Sequence, residues 1–179
     1  MSYYFSIVGT NDKALYEHEF GTSKQGGDGI ARFPTESRHH IQFVSNSSID
    51  IVEEVQWSPT TPTSGGAPMY LKHIDKFQNL YVSGFITGGN VKFLLLTAPA
   101  AAPASRSSAL ASSARASAYP SSSNYNPTAP ATEEAVRNFF VDVYDAWVKT
   151  IMSPFYMVND KVTSPVFRGR VAGAAKKYL

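Results

Sequence analysis

A chain of 179 residues, 43% apolar and only 17% charged, has globular composition and enough length to bury a proper core. Its formal net charge of +2, with no basic run interleaved with aromatics, argues against nucleic acid as a partner. The absence of cysteine excludes disulfides, thiolate metal sites, cysteine nucleophiles, prenylation and palmitoylation together.

Residues 1–9 lack a basic n-region and a long apolar run, so no signal peptide is read there. Residues 2–8 (SYYFSIV) predict a strand with Tyr3, Phe5 and Ile7 on one face and Tyr4 and Val8 on the other. Both faces are apolar, which is the pattern of a central strand covered on both sides. After a turn at 9–12, residues 14–20 (ALYEHEF) set Leu15, Glu17 and Glu19 against Tyr16, His18 and Phe20. One wet face suits an edge strand, and the short connection makes the pair an antiparallel hairpin. Residues 21–34 form a Gly-rich loop expansion, whose GGDG lacks the GxGxxG or GK[ST] pattern of a phosphate cradle.

Residues 35–57 (TESRHHIQFVSNSSIDIVEEVQW) predict the first long helix, despite poor helix formers at 45–48. Helical spacing groups His40, Val44, Ser47, Ser48, Ile51, Val52 and Val55 into its packing face. Phe43, Asp50 and Trp57 recur every seven residues on another stripe, with Glu54 beside them. Aromatics around a central charge are the composition of an interface anchor. The plainer reading is a solvated flank with Trp57 tucked under a loop.

Residues 58–68 (SPTTPTSGGAP) are a second loop expansion. Three strands follow at 69–74, 80–87 and 90–97, with turns at 75–79 and at Gly88-Gly89-Asn90. Phe93-Leu94-Leu95-Leu96 is apolar on both faces, so the last of them is another central strand. Residues 98–131 are rich in Ala, Ser and Pro, with Arg106 and Arg115 the only charges. Such a stretch cannot bury a core and predicts a disordered insertion without a folded role.

Residues 133–152 predict a helix with Thr132 as N-cap and Glu133 and Glu134 in the first turn, complementing the dipole. Val136, Phe139, Phe140, Val143, Trp147 and Ile151 form its packing face. Val141, Tyr144 and Val148 form a surplus apolar flank that needs cover from the last helix or from a neighbouring chain. Asp142, Asp145 and Lys149 interrupt the helix, which is therefore not a membrane span. Ser164-Pro165 opens the last helix, with Val166, Phe167, Val171, Ala174, Ala175 and Tyr178 on its apolar face. The order is β-β-α-β-β-β-α-α, an α+β class built on five antiparallel strands.

No catalytic constellation emerges. His39 and His40 are adjacent, and His18 and His73 lie on strands without an acidic triplet. There is no HExxH, Asp-x-Asp or GxSxG pattern, and Asp142 and Asp145 read as the solvated edge of a helix. No metal, cofactor or enzymatic activity is expected.

The stretches SYYFSIVGTND, IDIVEEVQW, MYLKHIDKF, YVSGFITGGNVKFLLL and NFFVDVYDAWVKTIMSPFY, in this order, resemble the sedlin family, the small longin-fold subunits of the TRAPP vesicle-tethering complex. The resemblance implies a single longin-type (SNARE-like, profilin-like) domain over 1–179, with the first helix on one face of the sheet and the last two on the other. It also implies a non-enzymatic adaptor in ER-to-Golgi and intra-Golgi transport and autophagy. Such a subunit links other TRAPP subunits, the small core that activates a Rab-type GTPase, to larger ones. The GTPase and the membrane would be met only through the assembly, placing the chain in the cytoplasm, peripheral to ER and Golgi membranes. Asp50 matches the family acid implicated in holding larger partners, so Asp50, Phe43, Glu54 and Trp57 are the expected partner-binding residues, with Tyr144 and Val148 as a second contact. The insertion at 98–131 departs from the family pattern. The alternatives sharing the fold are a longin-type SNARE and an adaptor-complex small chain. A SNARE needs a heptad-bearing segment and usually a C-terminal anchor, and the sequence ends at Leu179 with neither.

Overall fold

The two stretches that are apolar on both faces become neighbours at the middle of one antiparallel sheet. The computed structural model describes residues 1–23, 27–33, 37–57, 69–99, 126 and 128–179. Its elements are β1 (Ser2–Val8), β2 (Ala14–Gly21), α1 (Ser37–Trp57), β3 (Tyr70–Phe77), β4 (Leu80–Ile86), β5 (Lys92–Ala98), α2 (Pro130–Ile151) and α3 (Pro165–Tyr178). The sheet order is β2-β1-β5-β4-β3. Phe5 lies opposite Leu95 on one side and His18 on the other, so β1 and β5 are flanked by partners and β2 is an edge, as its wet face predicts.

Alternation then sorts the core into two layers. Tyr3, Phe5, Ile7, Phe85, Phe93 and Leu95 point to α2 and α3, where Val136, Phe139, Phe140, Val143, Trp147, Phe167 and Val171 meet them. Tyr4, Val8, Val82, Ile86, Leu94 and Leu96 point to α1, against Ile41, Val44, Ile49 and Val52. The first layer is predominantly aromatic: Phe5 meets Phe139 edge-on at 5.4 Å and Phe85 stacks on Phe140 at 5.6 Å. One helix on one face and two on the other is the arrangement expected from the resemblance.

Several boundaries and faces differ from the sequence reading, each for a local reason. The α1 packing face is Ile41, Val44, Ser45, Ser48, Ile49 and Val52, whereas His40 is exposed and Ser47, Ile51 and Val55 are half-buried. The helix is rolled by less than a quarter turn because serines as well as aliphatics face the sheet. Ser48 satisfies its hydroxyl by donating to the Val44 carbonyl at 2.7 Å, so it can be buried without an unpaired donor. Strand β3 runs to Phe77 because Gln78, at φ 51°, turns the chain within two residues. This edge strand is irregular, with register shifts at Tyr70/Lys72 and His73/Asp75, a device that discourages edge-to-edge pairing.

Helix α2 starts at Pro130, with Ala129 in the cap position and no side-chain cap. Thr132 therefore lies inside the first turn rather than capping it. Proline at the first position explains the earlier start, since it lacks the N–H a cap would satisfy. Ser164 does cap α3, accepting from the Phe167 amide at 3.4 Å. Ile151 and Val166, assigned to packing faces, are exposed. Ala98 closes β5, and Pro130 and Ala131 open α2, so the Ala/Ser/Pro stretch is shorter than 98–131. Most of that stretch lies outside the described residues, as does the 58–68 expansion.

Among the described residues Lys92 is the one buried cation, its side chain only 1% exposed in the layer under α1. Its Nζ donates to Glu53 Oε1 at 2.8 Å and to Asp12 Oδ1 at 2.9 Å, tying α1 to the β1–β2 turn. Burial pushes its pKa down, but the hydrogen bonds to Glu53 and Asp12 and their charges outweigh it and hold the ammonium above the ordinary lysine value.

Two outcomes follow. Val143 is buried among rings, so Val143→Asp places an unpaired charge there at a cost of several kcal/mol, on the order of a whole domain's stability, and should abolish cooperative melting. Lys92→Met should cost about 1–3 kcal/mol, less than a fully buried pair, because both carboxylates keep solvent access. The raised Lys92 pKa means its contribution is complete below the unfolded lysine pKa and lost as pH rises through the folded one. Alkaline melting of the wild type should therefore show a fall that Lys92→Met flattens.

Candidate partner-docking site

With Ile41, Val44, Ser48 and Val52 turned to the sheet, positions 43, 50 and 54 lie about half a helical turn away and face outward. Phe43 is 60% exposed, an unusual state for a phenyl ring on a regular helix. Asp50 and Glu54 are exposed, and among the described residues neither carboxylate has a hydrogen-bond or ion-pair partner. The structure thus brings together Phe43, Asp50 and Glu54 on one face. The Trp57 backbone ends α1 on the same stripe, and its side chain lies outside the described residues.

The adjacent acids Glu53 and Glu54 have different jobs. Glu53 is committed to Lys92, whereas Glu54 is exposed and has no ion-pair partner among the described residues. Their identical neighbours in sequence hide this distinction.

Phe77 extends the site beyond α1. Its ring stands at 6.2 Å from Phe43, nearly perpendicular, and at 6.4 Å from His40. A ledge of Phe43, His40 and Phe77 therefore spans the helix and the end of β3. The sequence reading missed Phe77 because it closed β3 three residues too early and placed Phe77 in a turn.

The charges on α1 run against its dipole. No acid occupies the first turn and no base the last, while Glu54 sits in the final turn. Arg38, near the N-terminus, is compensated by Glu19 of β2 at 3.6 Å; Glu54 has no such compensation. An uncompensated acid at a helix C-terminus costs about 0.3–1 kcal/mol. Folding therefore gains nothing from Glu54.

Tyr144 and Val148, the other expected contact residues, lie across the sheet from Asp50. Tyr144 is half-buried, with its ring 5.6 Å from Phe85, and Val148 is half-buried beside it on the same α2 flank. Helix α3 covers the opposite flank, where Lys177 reaches Asp142 at 3.3 Å and Arg170, Gly173 and Ala174 line a shallow groove. Asp145 pairs with Lys149, so Asp142 and Asp145 are both tied to lysines on that flank. Val141 stays exposed at the rim of the Tyr144 flank.

The histidines do not converge. His18 is sandwiched between Tyr16 and Phe20, and its pKa is lowered by burial and by the nearby Arg168 charge. The Nδ1 of His73 lies 3.0 Å from the Val82 carbonyl. Among the described residues there is no group of three or more His, Asp or Glu side chains able to hold a metal ion, and no helix is long and apolar enough to cross a membrane.

Comparison with known proteins concerns the chain as a whole. The sequence profile described as Sedlin matches residues 7–177. A Drosophila melanogaster protein named "Probable trafficking protein particle complex subunit 2" is 30% identical over 178 residues, covering 99% of this chain and 97% of its own. The Schizosaccharomyces pombe "Transport protein particle 20 kDa subunit" is 28% identical over 179 residues, the whole of both chains. The Saccharomyces cerevisiae "Trafficking protein particle complex subunit 20" is 28% identical over 201 residues, covering 100% of this chain and 99% of its own.

If Glu54 is kept for something other than folding, reversing it should help the fold. Glu54→Lys is expected to raise stability by about 0.3–1 kcal/mol in chemical denaturation at low salt. A loss of stability of that size would mean that Glu54 has a structural partner.

Proposed function

The chain belongs to the sedlin family, and on that premise we propose that it is a non-catalytic adaptor subunit of a trafficking protein particle (TRAPP) assembly. The names of its relatives support the assembly, and the outward stripe of α1 supports the adaptor role. In this reading residues 1–179 act as one longin-type domain. It joins the small core subunits that together activate a Rab-type GTPase to larger subunits, in ER-to-Golgi and intra-Golgi transport and in autophagy. The chain would then reach ER and Golgi membranes from the cytoplasm as part of the complex.

At the centre of the α1 stripe stands Asp50, exposed and without a partner among the described residues, and this carries the adaptor reading. Asp50 and Glu54 are one helical turn apart and free to accept from a partner's arginine or lysine, while Phe43 offers a ring to an apolar socket. Once covered, each carboxylate needs a cation, since a buried unpaired charge costs more than the contact returns. Recognition therefore demands a basic residue opposite Asp50 and rejects an acidic one. Trp57 is assigned to the same contact by its position in the stripe. Tyr144 and Val148 would meet a different subunit, because they lie on the other face of the sheet.

Asp50→Ala should leave the melting temperature of the isolated chain within the range of a neutral surface change, about 0.5 kcal/mol. In a pull-down it should weaken capture of a larger subunit by tenfold or more and make the remainder less salt-sensitive. Undiminished capture by a folded Asp50→Ala chain would remove the stripe from the interface.

A further inference from the structure

The α1 stripe does not use the most exposed apolar side chains of the described chain. These cluster in the segment after α2, where Met152 is 76%, Phe155 92%, Met157 70% and Val158 78% exposed, with Ile151 also exposed beside them. Large apolar side chains clustered in solvent in this way are a feature that free monomers rarely show and that marks interaction sites.

The segment is held in place at several points. Tyr156 turns inward and packs edge-on against Trp147 at 5.9 Å. Asn159 accepts from the Thr10 amide at 3.1 Å and donates from Nδ2 to Thr10 Oγ1 at 2.9 Å. The Val162 amide donates to the Leu15 carbonyl at 2.9 Å. Gly9 makes room for this joint, because a Cβ there would lie 2.4 Å from Asn159 Oδ1. The fold orders this segment while leaving Met152, Phe155, Met157 and Val158 largely in solvent, so these four side chains add little to the free chain's stability.

We propose that residues 151–158 are a second protein-docking surface, taken by a subunit of the assembly that offers a neutral, apolar socket and is distinct from the one on α1. The chemistry around the tip favours a protein over a lipid surface. No charged residue occurs from 150 to 159. At the rim Lys149 is tied to Asp145, and Asp160 and Lys161 are adjacent charges of opposite sign. An apolar centre inside a mixed-charge rim is interface anatomy, whereas a loop that enters an anionic membrane needs an excess of cations around it. Two methionines and a phenylalanine suit a socket that must be filled by adaptable side chains. The identity of the partner as a subunit rests on the assembly reading above; the surface itself does not.

The test isolates the assembly through a tag on this chain, carrying wild type, Phe155→Ser/Met157→Ser or Asp50→Ala, and quantifies every co-purifying subunit by mass spectrometry. Melting of each isolated chain is measured alongside. The double variant should melt like the wild type, lose one subunit at least tenfold and keep the subunit that Asp50→Ala loses. If the double variant keeps every subunit while Asp50→Ala loses one, the second surface is wrong and the adaptor reading stands. If both variants lose the same subunit, the surface is not separate. If neither loses any, both readings fail. A double variant that no longer melts cooperatively would show that the tip supports the fold, which also overturns the proposal. Loss of flotation with phosphatidylserine-containing vesicles, with all subunits retained, would assign the tip to a membrane instead.

Discussion

Everything in this fold depends on two adjacent strands that are dry on both faces. Strand β1 is buried from Ser2 to Val8 and β5 from Lys92 to Thr97, so each face of the sheet must be covered by another layer. One amphipathic helix covers one side and two cover the other. Because three helices provide that cover, their outer surfaces are left over, and the proposed contacts fall on or beside them. Lys92 fits the same constraint. A cation buried in the layer under α1 is tolerable only with acids at hand, and Glu53 and Asp12 supply them while joining α1 to the first hairpin.

The leftover surfaces differ in chemistry. The outer face of α1 is mixed, with Phe43, Asp50 and Glu54 pointing to solvent and the Phe77 ring at its edge. The segment after α2 is uncharged and apolar at its tip. A mixed surface selects its partner by charge and discriminates strongly, whereas an apolar tip selects by shape. In the adaptor reading proposed above, a chain that joins others uses two such surfaces, and here the two lie on different elements. Glu54 stands at the end of the helix that disfavours its charge, so in the proposed reading folding and binding ask for opposite residues there.

Much of the fold was legible because the strongest signals were periodic. The double-sided runs at Tyr3–Val8 and Phe93–Leu96 gave the central strands, and the Glu17/Glu19 alternation gave the edge. The roll of α1 was harder to read. Ser45 and Ser48 face the sheet, and a reading that follows aliphatics places the packing face one step away. The β3 end was misjudged because Asp75 and Lys76 look like turn residues, although the turn is made by Gln78 in a left-handed conformation. On the outer face of α1, spacing placed Phe43, Asp50 and Glu54 together, and the structure shows all three exposed. Spacing could not separate Glu53 from Glu54, since only the tertiary position of Lys92 distinguishes them. The apolar tip at 151–158 escaped notice because Ile151 continued a helical stripe and the residues after it read as an ordinary loop.

In the adaptor reading the outer face of α1 is covered when the chain is at work. Carboxylate footprinting of the free chain and of the assembly purified from cells, read residue by residue, tests it most directly. Asp50 and Glu54 should label readily in the free chain and lose most of that labelling in the assembly. Equal labelling of Asp50 and Glu54 in the free chain and in the assembly would contradict it.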